Sequence, residues 1–325
     1  MTDNFPKRIV LSRKGFDSVA GGCASPIFEG GRMVSLPIPE NEEKYPEVTN
    51  RFDLLENRPD NEIATWLQQL SPGFDVTRRV HLDPDIRPHL RRWNRDDTTG
   101  WYFGQGGGVQ TELCKLGACV PANNTLFLFY GWFKGVEERP NGGFRYVRAR
   151  RRDAWTHNQH VIWGWLQSEG APVHITVPPH SERLRRADHH PHLEYLNEPN
   201  NYMYVGRTSR IFDENVSGAG VFSDYHGDLR LTCPNEINCR TKWHLPAFLQ
   251  ECAIGRFVTA KWGQCDRSAQ AQYRGFGQEF VFDVSNRHAD AGAWLKNIFE
   301  HAKNGYSCLT PANVKPSGLA LGHKG

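Results

Sequence analysis

The sequence lacks any apolar run of the ~18–20 residues that a membrane-spanning helix needs. Its first residues are polar, and no apolar segment follows them as it would in a secretory signal. We therefore expect a cytoplasmic protein with no membrane partner, whose eight cysteines are reduced thiols. Neither sign of charge predominates: 39 basic and 36 acidic residues give a net charge of +3. That balance is too even to indicate nucleic-acid binding without local basic patches.

Several motifs that identify enzyme classes are missing. No Cys-x-x-Cys pair is present, so cysteine spacing does not indicate a structural zinc site. The signatures of P-loop phosphate binding, dinucleotide binding, serine hydrolysis and zinc-dependent base deamination are absent as well. Histidines 157 and 160, and the group 189, 190 and 192, have the spacing of metal ligands, but we expect solvated side chains in those loop-rich segments.

The chain contains short apolar segments, which are separated by many turn-forming residues (31 Gly, 20 Pro). Strands are predicted at 125–133, 160–167, 202–205, 229–232 and 277–283, and helices at 61–70, 110–116 and 290–301. Segment 178–192 is predicted to be an exposed loop. The pattern predicts a β-rich α+β fold with covering helices. We expect one large domain, 1–310, divisible into an N-terminal α/β part (1–120) and a second part (121–310), with a flexible tail, 311–325.

The opening segment combines an apolar strand, 9–11, with a polar loop and a return strand near 33–36, which predicts a hairpin. Polar and glycine residues at a strand end are typical of binding sites, because glycine permits positive φ and close approach of a ligand. A glycine-relieved hairpin loop with a salt-bridged rim would have the same composition. The candidate ligand-binding residues here are Arg13, Lys14, Asp17, Ser18, Gly21 and Gly22.

A second polar turn, His81-Leu-Asp83-Pro-Asp85, presents an imidazole and two carboxylates. These groups could bind a divalent cation or sugar hydroxyls, or could supply a general base. Alternatively, the carboxylates only cap backbone N–H groups of an Asp-Pro turn. A hard cation would need further oxygen ligands, for which Asp17, Glu279 and Asp283 are candidates. No cofactor is otherwise indicated, so a divalent cation is the one we consider.

Basic residues interleave with aromatic ones in three segments, a pattern that suits phosphate contacts and base stacking. The same pattern arises when tryptophans belong to the core and arginines to a solvated rim. The residues are Arg91, Arg92, Trp93, Arg95, Trp101 and Tyr102, then the basic run 148–152 with Trp155, then Arg183, Arg185 and Arg186.

Taken together, several segments resemble the nucleotide modification associated domain family, in its third named group. The resemblance rests on Lys14-Gly-Phe-Asp-Ser18 with Gly21 and Gly22, and on segments 35–39, 81–85, 103–105, 126–133 and 160–167. It implies a bacterial or phage protein encoded near enzymes that modify DNA bases or nucleotides, and it transfers no catalytic roles. The order of the middle strands is also similar to the small barrel of pseudouridine-synthase and archaeosine-transglycosylase (PUA-like) domains, although Asn123-Asn-Thr125 replaces their usual Gly-Asp turn.

Two functions follow from these patterns. The first is an enzyme in which Asp17, Asp83 and Asp85, supported by His160 or His192, form an acidic pocket that acts on a base or nucleotide. The second is a non-catalytic reader that holds a flipped, modified base between rings such as Trp132 and Trp163. In either case the partner is DNA or a nucleotide, with other base-modification enzymes as further possible partners. The predicted substrate-binding residues are Arg13, Lys14, Ser18, Gly21, Gly22, Gln105, Trp132, Trp163, Gln167 and His192.

Overall fold

The computed structural model describes most of the chain. The described residues are 5–18, 20–41, 51–52, 55, 62–87, 100–175, 181–184, 187, 190–195, 198–207, 216–237, 239–255, 261–265, 268–272 and 279–300. The strands are β1 (Arg8–Arg13), β2 (Ser25–Ile27), β3 (Ile38–Pro39), β4 (Val80–His81), β5 (Tyr102–Gln105), β6 (Leu126–Glu138), β7 (Phe144–Tyr146), β8 (Gln159–Gln167), β9 (Val173–His174), β10 (Tyr202–Val205), β11 (Ala219–Val221), β12 (Lys242–Pro246), β13 (Ala253–Ile254), β14 (Lys261–Cys265), β15 (Ser268–Gln272) and β16 (Glu279–Asp283). The helices are α1 (Ile63–Leu70), α2 (Gly107–Lys115), α3 (Pro191–Glu194), α4 (Phe248–Cys252) and α5 (His288–Glu300).

The main sheet runs in the order β11-β8-β6-β1-β16-β13, and β2 and β7 also pair with the long strand β6. Its inner strands are buried on both faces, which explains their nearly continuous apolar sequences; every residue of β8 is buried. Strand β1 is parallel to β6 and antiparallel to β16, so the first strand of the chain lies in the middle of the sheet. The predicted hairpin at the opening is therefore wrong: after its loop the chain returns as β2, parallel to a later part of β6.

Three smaller sheets surround the main one: β5-β10-β9, β12-β15-β14 and the pair β3-β4. The largest apolar core covers both faces of the main sheet. A second core lies beneath α1, where Phe16, Phe52 and Trp66 pack together with Leu67. The pair β3-β4 matters most for function, because its register sets Ile38 opposite His81 and thereby brings residue 40 next to that histidine.

The predicted α+β class is confirmed, with more strand than helix. The strands that the structure describes form open sheets, so the small PUA-like barrel is not confirmed. The main sheet takes β1 from the first part of the chain and β6, β8 and β16 from the second. The division of the chain into domains stays a prediction, and the predicted tail lies outside the described residues.

Most predicted helices and strands are found near their expected positions, with three differences. The strand expected at 229–232 is replaced by a 3₁₀ turn at Gly227–Leu229 followed by isolated bridges, because its residues pair singly with neighbouring segments. Helix α5 begins at His288, two residues before the predicted start, so Asp290 lies inside its first turn. The predicted exposed loop, 178–192, ends in α3 (Pro191–Glu194), and the side chains of His190 and His192 are buried.

The cysteines also differ from expectation at one pair. Cys114 and Cys119 form a disulfide, so the prediction of reduced thiols is wrong there. Cys23, Cys233, Cys239 and Cys252 are free. Within the part of the chain that the structure describes, no helix is both long enough and apolar enough to cross a membrane.

Candidate functional site

Four elements converge on one buried polar cluster. The end of β1 supplies Lys14, β4 leads through His81 to Asp83, β5 supplies Gly104, and α3 supplies His192. The β5-β10 pairing holds these together, since Gly104 lies opposite Met203 and the segment just before β10 reaches α3. The site therefore assembles at the junction of three sheets, where chain ends and turns leave polar side chains facing one another.

Asp83 is at the centre of the cluster and is fully buried. Its Oδ1 accepts a 2.7 Å hydrogen bond from the backbone N–H of Gly104, and His190 Nε2 lies 3.4 Å from the same oxygen. Its Oδ2 accepts no hydrogen bond; Lys14 Nζ at 3.6 Å and His81 Nε2 at 3.7 Å are its charged neighbours. Burial alone would raise the pKa of Asp83, but His190, His81 and the charge of Lys14 hold it well below its usual range.

His81 is bound at its other nitrogen. Nδ1 lies 3.0 Å from Glu40 Oε2 and 2.8 Å from the hydroxyl of Tyr195, which itself donates to Glu40. Burial opposes protonation of this imidazole, but the nearby carboxylates of Asp83 and Glu40, the latter through a hydrogen bond, outweigh it and raise the pKa of His81 to about 9. In the absence of another cation, His81 is therefore an imidazolium between two carboxylates.

His192 has the opposite electrostatic character. Its Nδ1 lies 2.7 Å from Asn201 Oδ1, and the Asn201 amide donates in turn to the backbone carbonyls of His192 and Tyr195. Burial lowers the pKa of His192 to about 3, so the ring is neutral at physiological pH. A neutral imidazole whose Nδ1 donates to an amide oxygen leaves a lone pair on Nε2.

One potential metal-ligand set lies within this cluster. His81, Asp83 and His192 each offer a ligand atom, and these atoms lie within 4.8 Å of one another. Two imidazoles and one carboxylate are a donor set that first-row transition metals accept in proteins. Among the described residues, no other group of three or more such side chains has this geometry.

Cationic and aromatic groups border the set on the β1 side. Lys14 Nζ lies 4.7 Å above the ring of Phe103, and Trp163 Nε1 donates to the backbone carbonyl of Lys14 at 2.9 Å. Arg87 covers Trp163, with its guanidinium carbon 4.1 Å from the ring centroid, and donates to Ser35 Oγ. Burial lowers the pKa of Arg87 to about 9 against the opposing charges of Asp83 and Asp85. Trp163 is thus a packed wall of the site.

A second buried carboxylate lies next to the cluster. Glu279 Oε1 accepts hydrogen bonds from Gln105 Nε2 at 2.7 Å and Ser12 Oγ at 3.2 Å. Burial raises the pKa of Glu279, although Lys14 and the two hydrogen bonds oppose the shift. Gln105 directly follows the glycine that binds Asp83, so it connects the two carboxylate environments through β5.

The predicted residues of the opening loop have other partners. Arg13 and Lys14 are adjacent, yet Arg13 pairs with Asp17 at 3.3 Å while Lys14 pairs with Asp83. Asp17 Oδ1 also accepts from the N–H of Ala20 and so shapes its own loop. Ser18 and Gly22 are exposed, whereas Gly21 lies against the ring of Phe16. The carboxylate that the structure joins to Lys14 is Asp83, and an acidic pocket shared with Asp17 stays a prediction.

Asp85, His160, Trp132 and Gln167 also occupy other surroundings. Asp85 exchanges backbone hydrogen bonds with Tyr102, and its charge acts on Arg87. His160 accepts from Trp243 Nε1, and Gln167 donates to the carbonyl of Asn124. One face of Trp132 is covered by Arg240, whose guanidinium carbon lies 4.0 Å from the ring centroid.

Sequence reasoning missed several members of the cluster: Glu40, Arg87, His190, Tyr195 and Asn201. The His190-Pro-His192 spacing was visible, but the low apolar content around it indicated exposure. No local signal marks Glu40, because only the β3-β4 register sets it beside His81. Of the predicted basic patches, arginines 148, 150, 151 and 152 are exposed, whereas residues 91–95 and 185–186 lie outside the described part of the chain.

A family model matches residues 8–283, the range that contains every member of the cluster, under the description nucleotide modification associated domain 3. The chain belongs to this family. The expected family is thereby confirmed, and with it an association with nucleotide modification. No curated protein and no solved structure matches the chain. The family name gives the general context, and the arrangement around Asp83 must supply the chemistry.

Proposed function

We propose that this family member is an enzyme that modifies a nucleobase or nucleotide at the buried cluster around Asp83. The observation that carries the proposal is that three side chains within a few ångströms of one another are held in different charge states. His81 is held charged, His192 is held neutral and Asp83 is held ionised. Neighbouring groups whose pKa values are pushed apart are typical of acid–base sites, because each group is fixed in the protonation state that its step requires.

The cluster combines residues suited to distinct chemical roles. His81, backed by Glu40 and Tyr195, can donate a proton from Nε2, and His192 can accept one at Nε2. Lys14 and Arg87 supply positive charge for a phosphate or a developing oxyanion. Gln105 presents an amide of the type that recognises base edges. These roles fit a polar, flat substrate such as a base.

The geometry favours an enzyme over a reader. A reader needs open aromatic faces on which a flipped base can stack. The two tryptophans considered for that role each have a face covered by a guanidinium, Trp163 by Arg87 and Trp132 by Arg240. Insertion of a base at either covered face would require displacement of an arginine.

Mass spectrometry of nucleosides tests the proposal. DNA and the free nucleotide pool are compared between cells that express the wild-type chain, Asp83→Asn, or the control Asp153→Asn, which removes an exposed carboxylate paired with Arg150. We expect a modified nucleoside with the wild type and the control, and at least a 100-fold loss of it with Asp83→Asn, since the charge of Asp83 helps to keep His81 protonated and general acid–base groups contribute about 10²–10⁴-fold. Circular dichroism confirms that the variant is folded. A product that persists in Asp83→Asn refutes this site, and binding of modified DNA without any product supports the reader.

A further inference from the structure

We propose that His81, Asp83 and His192 bind one divalent first-row transition-metal ion through His81 Nε2, Asp83 Oδ2 and His192 Nε2. The proposal rests on the proposed function only in its location at the reacting centre. With an ion bound, both Nε2 atoms would be ligands, so His81 would lose its Nε2 proton on binding, and activation of water or substrate by the ion would replace the proton transfers described for these two atoms above. Metal binding itself is measured without a substrate. The three ligands come from segments that are distant in the sequence, residues 81–83 and residue 192, and the fold brings them together.

In each of the three residues, the nitrogen or oxygen that is not proposed as a metal ligand is already held by a hydrogen bond. His81 Nδ1 is held by the Glu40 carboxylate, His192 Nδ1 by the Asn201 amide oxygen, and Asp83 Oδ1 by the N–H of Gly104. Metal-bound histidines in proteins almost always donate their second nitrogen to a carboxylate, carbonyl or water in this way, which fixes the tautomer and the ring orientation. All three ligands are therefore oriented with their remaining atoms available to a common ion.

The burial of Asp83 supports a cation-binding role for its carboxylate. Its Oδ2 is fully buried and accepts no hydrogen bond, and buried carboxylate oxygens without donors are rare because desolvation is costly. Lys14 at 3.6 Å and His81 at 3.7 Å are too distant to donate to it. A divalent ion between Oδ2 and the two Nε2 atoms would satisfy this oxygen directly.

The donor set indicates the class of metal. Calcium and magnesium prefer all-oxygen coordination, whereas imidazole suits iron, cobalt, nickel, copper and zinc. Structural zinc sites are closed by four protein ligands, but here the described residues supply three. Two histidines and one carboxylate leave coordination positions open for water or substrate, as in reactive rather than structural sites.

The close contact between the backbone at Gly104 and the ring of His192 also supports a binding site here. A Cβ at Gly104 would lie 2.2 Å from His192 Cδ2, so glycine at this position lets the imidazole reach Asp83 across β5. Asp83 and His192 are thus both positioned by the same residue, one through its N–H and the other through its missing side chain.

The competing interpretation is a metal-free ion network in which Lys14 and protonated His81 neutralise Asp83. The variant Lys14→Met separates the two, because it keeps the length of the side chain and removes its charge. If an ion binds, loss of a nearby positive charge strengthens metal affinity, and added metal restores any stability that the variant loses. In a metal-free network, the variant is less stable and metal has no effect.

The test is a titration of the chelator-treated protein, residues 1–325, with Co²⁺, followed by visible absorption and elemental analysis, and repeated with Zn²⁺ and with anaerobic Fe²⁺. We expect one ion per chain, a rise in Tm on binding, and at least 100-fold weaker affinity in His192→Ala. Asn201→Ala, which removes only the oxygen that orients His192, is expected to weaken affinity about 10–100-fold. The matched control His226→Ala removes a half-exposed histidine paired with Asp228 and should bind the metal like the wild type.

Failure of the wild type to bind a stoichiometric ion, or unchanged affinity in His192→Ala, overturns the proposal. If His192→Ala does not fold, His81→Gln replaces it, since that imidazole is the more exposed of the two. The proposed function fails differently: metal then binds to the wild type, but no modified nucleoside forms in cells. Conversely, if an Asp83-dependent product forms but no metal binds, the proposed function stands and the metal proposal is overturned.

Discussion

Two histidines predicted for catalysis, His160 and His192, differ in the direction of one hydrogen bond. At His160 the Nδ1 atom accepts from Trp243 Nε1 at 3.1 Å, and the ring lies among Tyr130 and Trp243. At His192 the Nδ1 atom instead donates to Asn201, which leaves Nε2 with a lone pair. Both are buried, so composition could not distinguish them; the identity of the partner at Nδ1 decides which one can bind or transfer protons.

We predict that His160 makes the protein less stable in acid. Burial lowers its pKa well below the ordinary value of about 6.5, so below that pH the unfolded chain takes up a proton that the folded one does not. Stability that is present above pH 6.5 is therefore lost as the pH falls, by up to about 1.4 kcal/mol per pH unit for this group. Chemical unfolding of wild type and His160→Asn between pH 7 and 5 measures the difference.

Asn keeps an acceptor near the position of Nδ1, so the variant retains the Trp243 bond while removing the titration. Comparison of the two proteins cancels the other histidines, including His81, whose raised pKa has the opposite sign and adds stability in acid until the unfolded chain is also protonated. Equal slopes in the two proteins would contradict the assignment of His160 as a buried neutral acceptor.

At the scale of secondary structure, β5 shows how a glycine-rich run becomes part of a site. The run from Phe103 through Gly108 has a glycine content that indicates a flexible turn, yet its first half is a buried strand. Gly104 is needed because the ring of His192 occupies the space of a Cβ, whereas Gly108 has nothing within 4 Å. Its surroundings thus require glycine at position 104 but not at position 108.

Gly104→Ala and Gly108→Ala form a matched pair. We expect Gly104→Ala to destabilise the protein by about 1–3 kcal/mol, as overpacked core substitutions do, and to weaken metal binding because the imidazole must move. Gly108→Ala, exposed in the first turn of α2, should cost nothing or stabilise by up to about 1 kcal/mol. Thermal unfolding and Co²⁺ titration measure both. Equal behaviour of the two variants would argue against the close contact at Gly104.

Elements with strong local signals could be predicted from the sequence, and pairings between distant segments could not. The apolar runs of β6 and β8 and the helical spacing of α1 and α5 are local, and all were located. The parallel pairing of β1 with β6 was mistaken for a hairpin, since nothing in residues 9–36 reports on a partner at 126. The same limit applies to the site, where Asp83 was identified but Glu40 and Asn201 were not.

At the scale of the whole molecule, β1 connects the two ends of the described chain. It lies between β6 and β16, and Ser12 Oγ donates to Glu279 across 267 positions of sequence. A chain divided at residue 120 would therefore separate the central strand from both of its neighbours. Whether the chain forms one domain, 1–310, or two parts stays a prediction, and this pairing determines how it can be tested.

We expect a chain of residues 1–310 to unfold in one cooperative transition with the Tm of the full sequence, and residues 1–120 alone to remain unfolded. The physical reason is that the fragment contains β1 without β6 or β16 and leaves its buried apolar residues without a sheet. Circular dichroism and limited proteolysis distinguish the outcomes. A stable fragment 1–120, or two separate transitions in 1–310, would establish the two-domain alternative.

The central position of β1 also affects how the protein is made. Strand β1 leaves the ribosome well before its partner β16, which follows only after more than 260 further residues. At bacterial and eukaryotic rates of about 5–20 residues per second, that interval is on the order of tens of seconds. During this time Lys14 cannot be fixed within the finished sheet and Glu279 does not exist. A chain that ends before β16 therefore lacks one of the two strands that flank β1, and it lacks the carboxylate that binds Ser12.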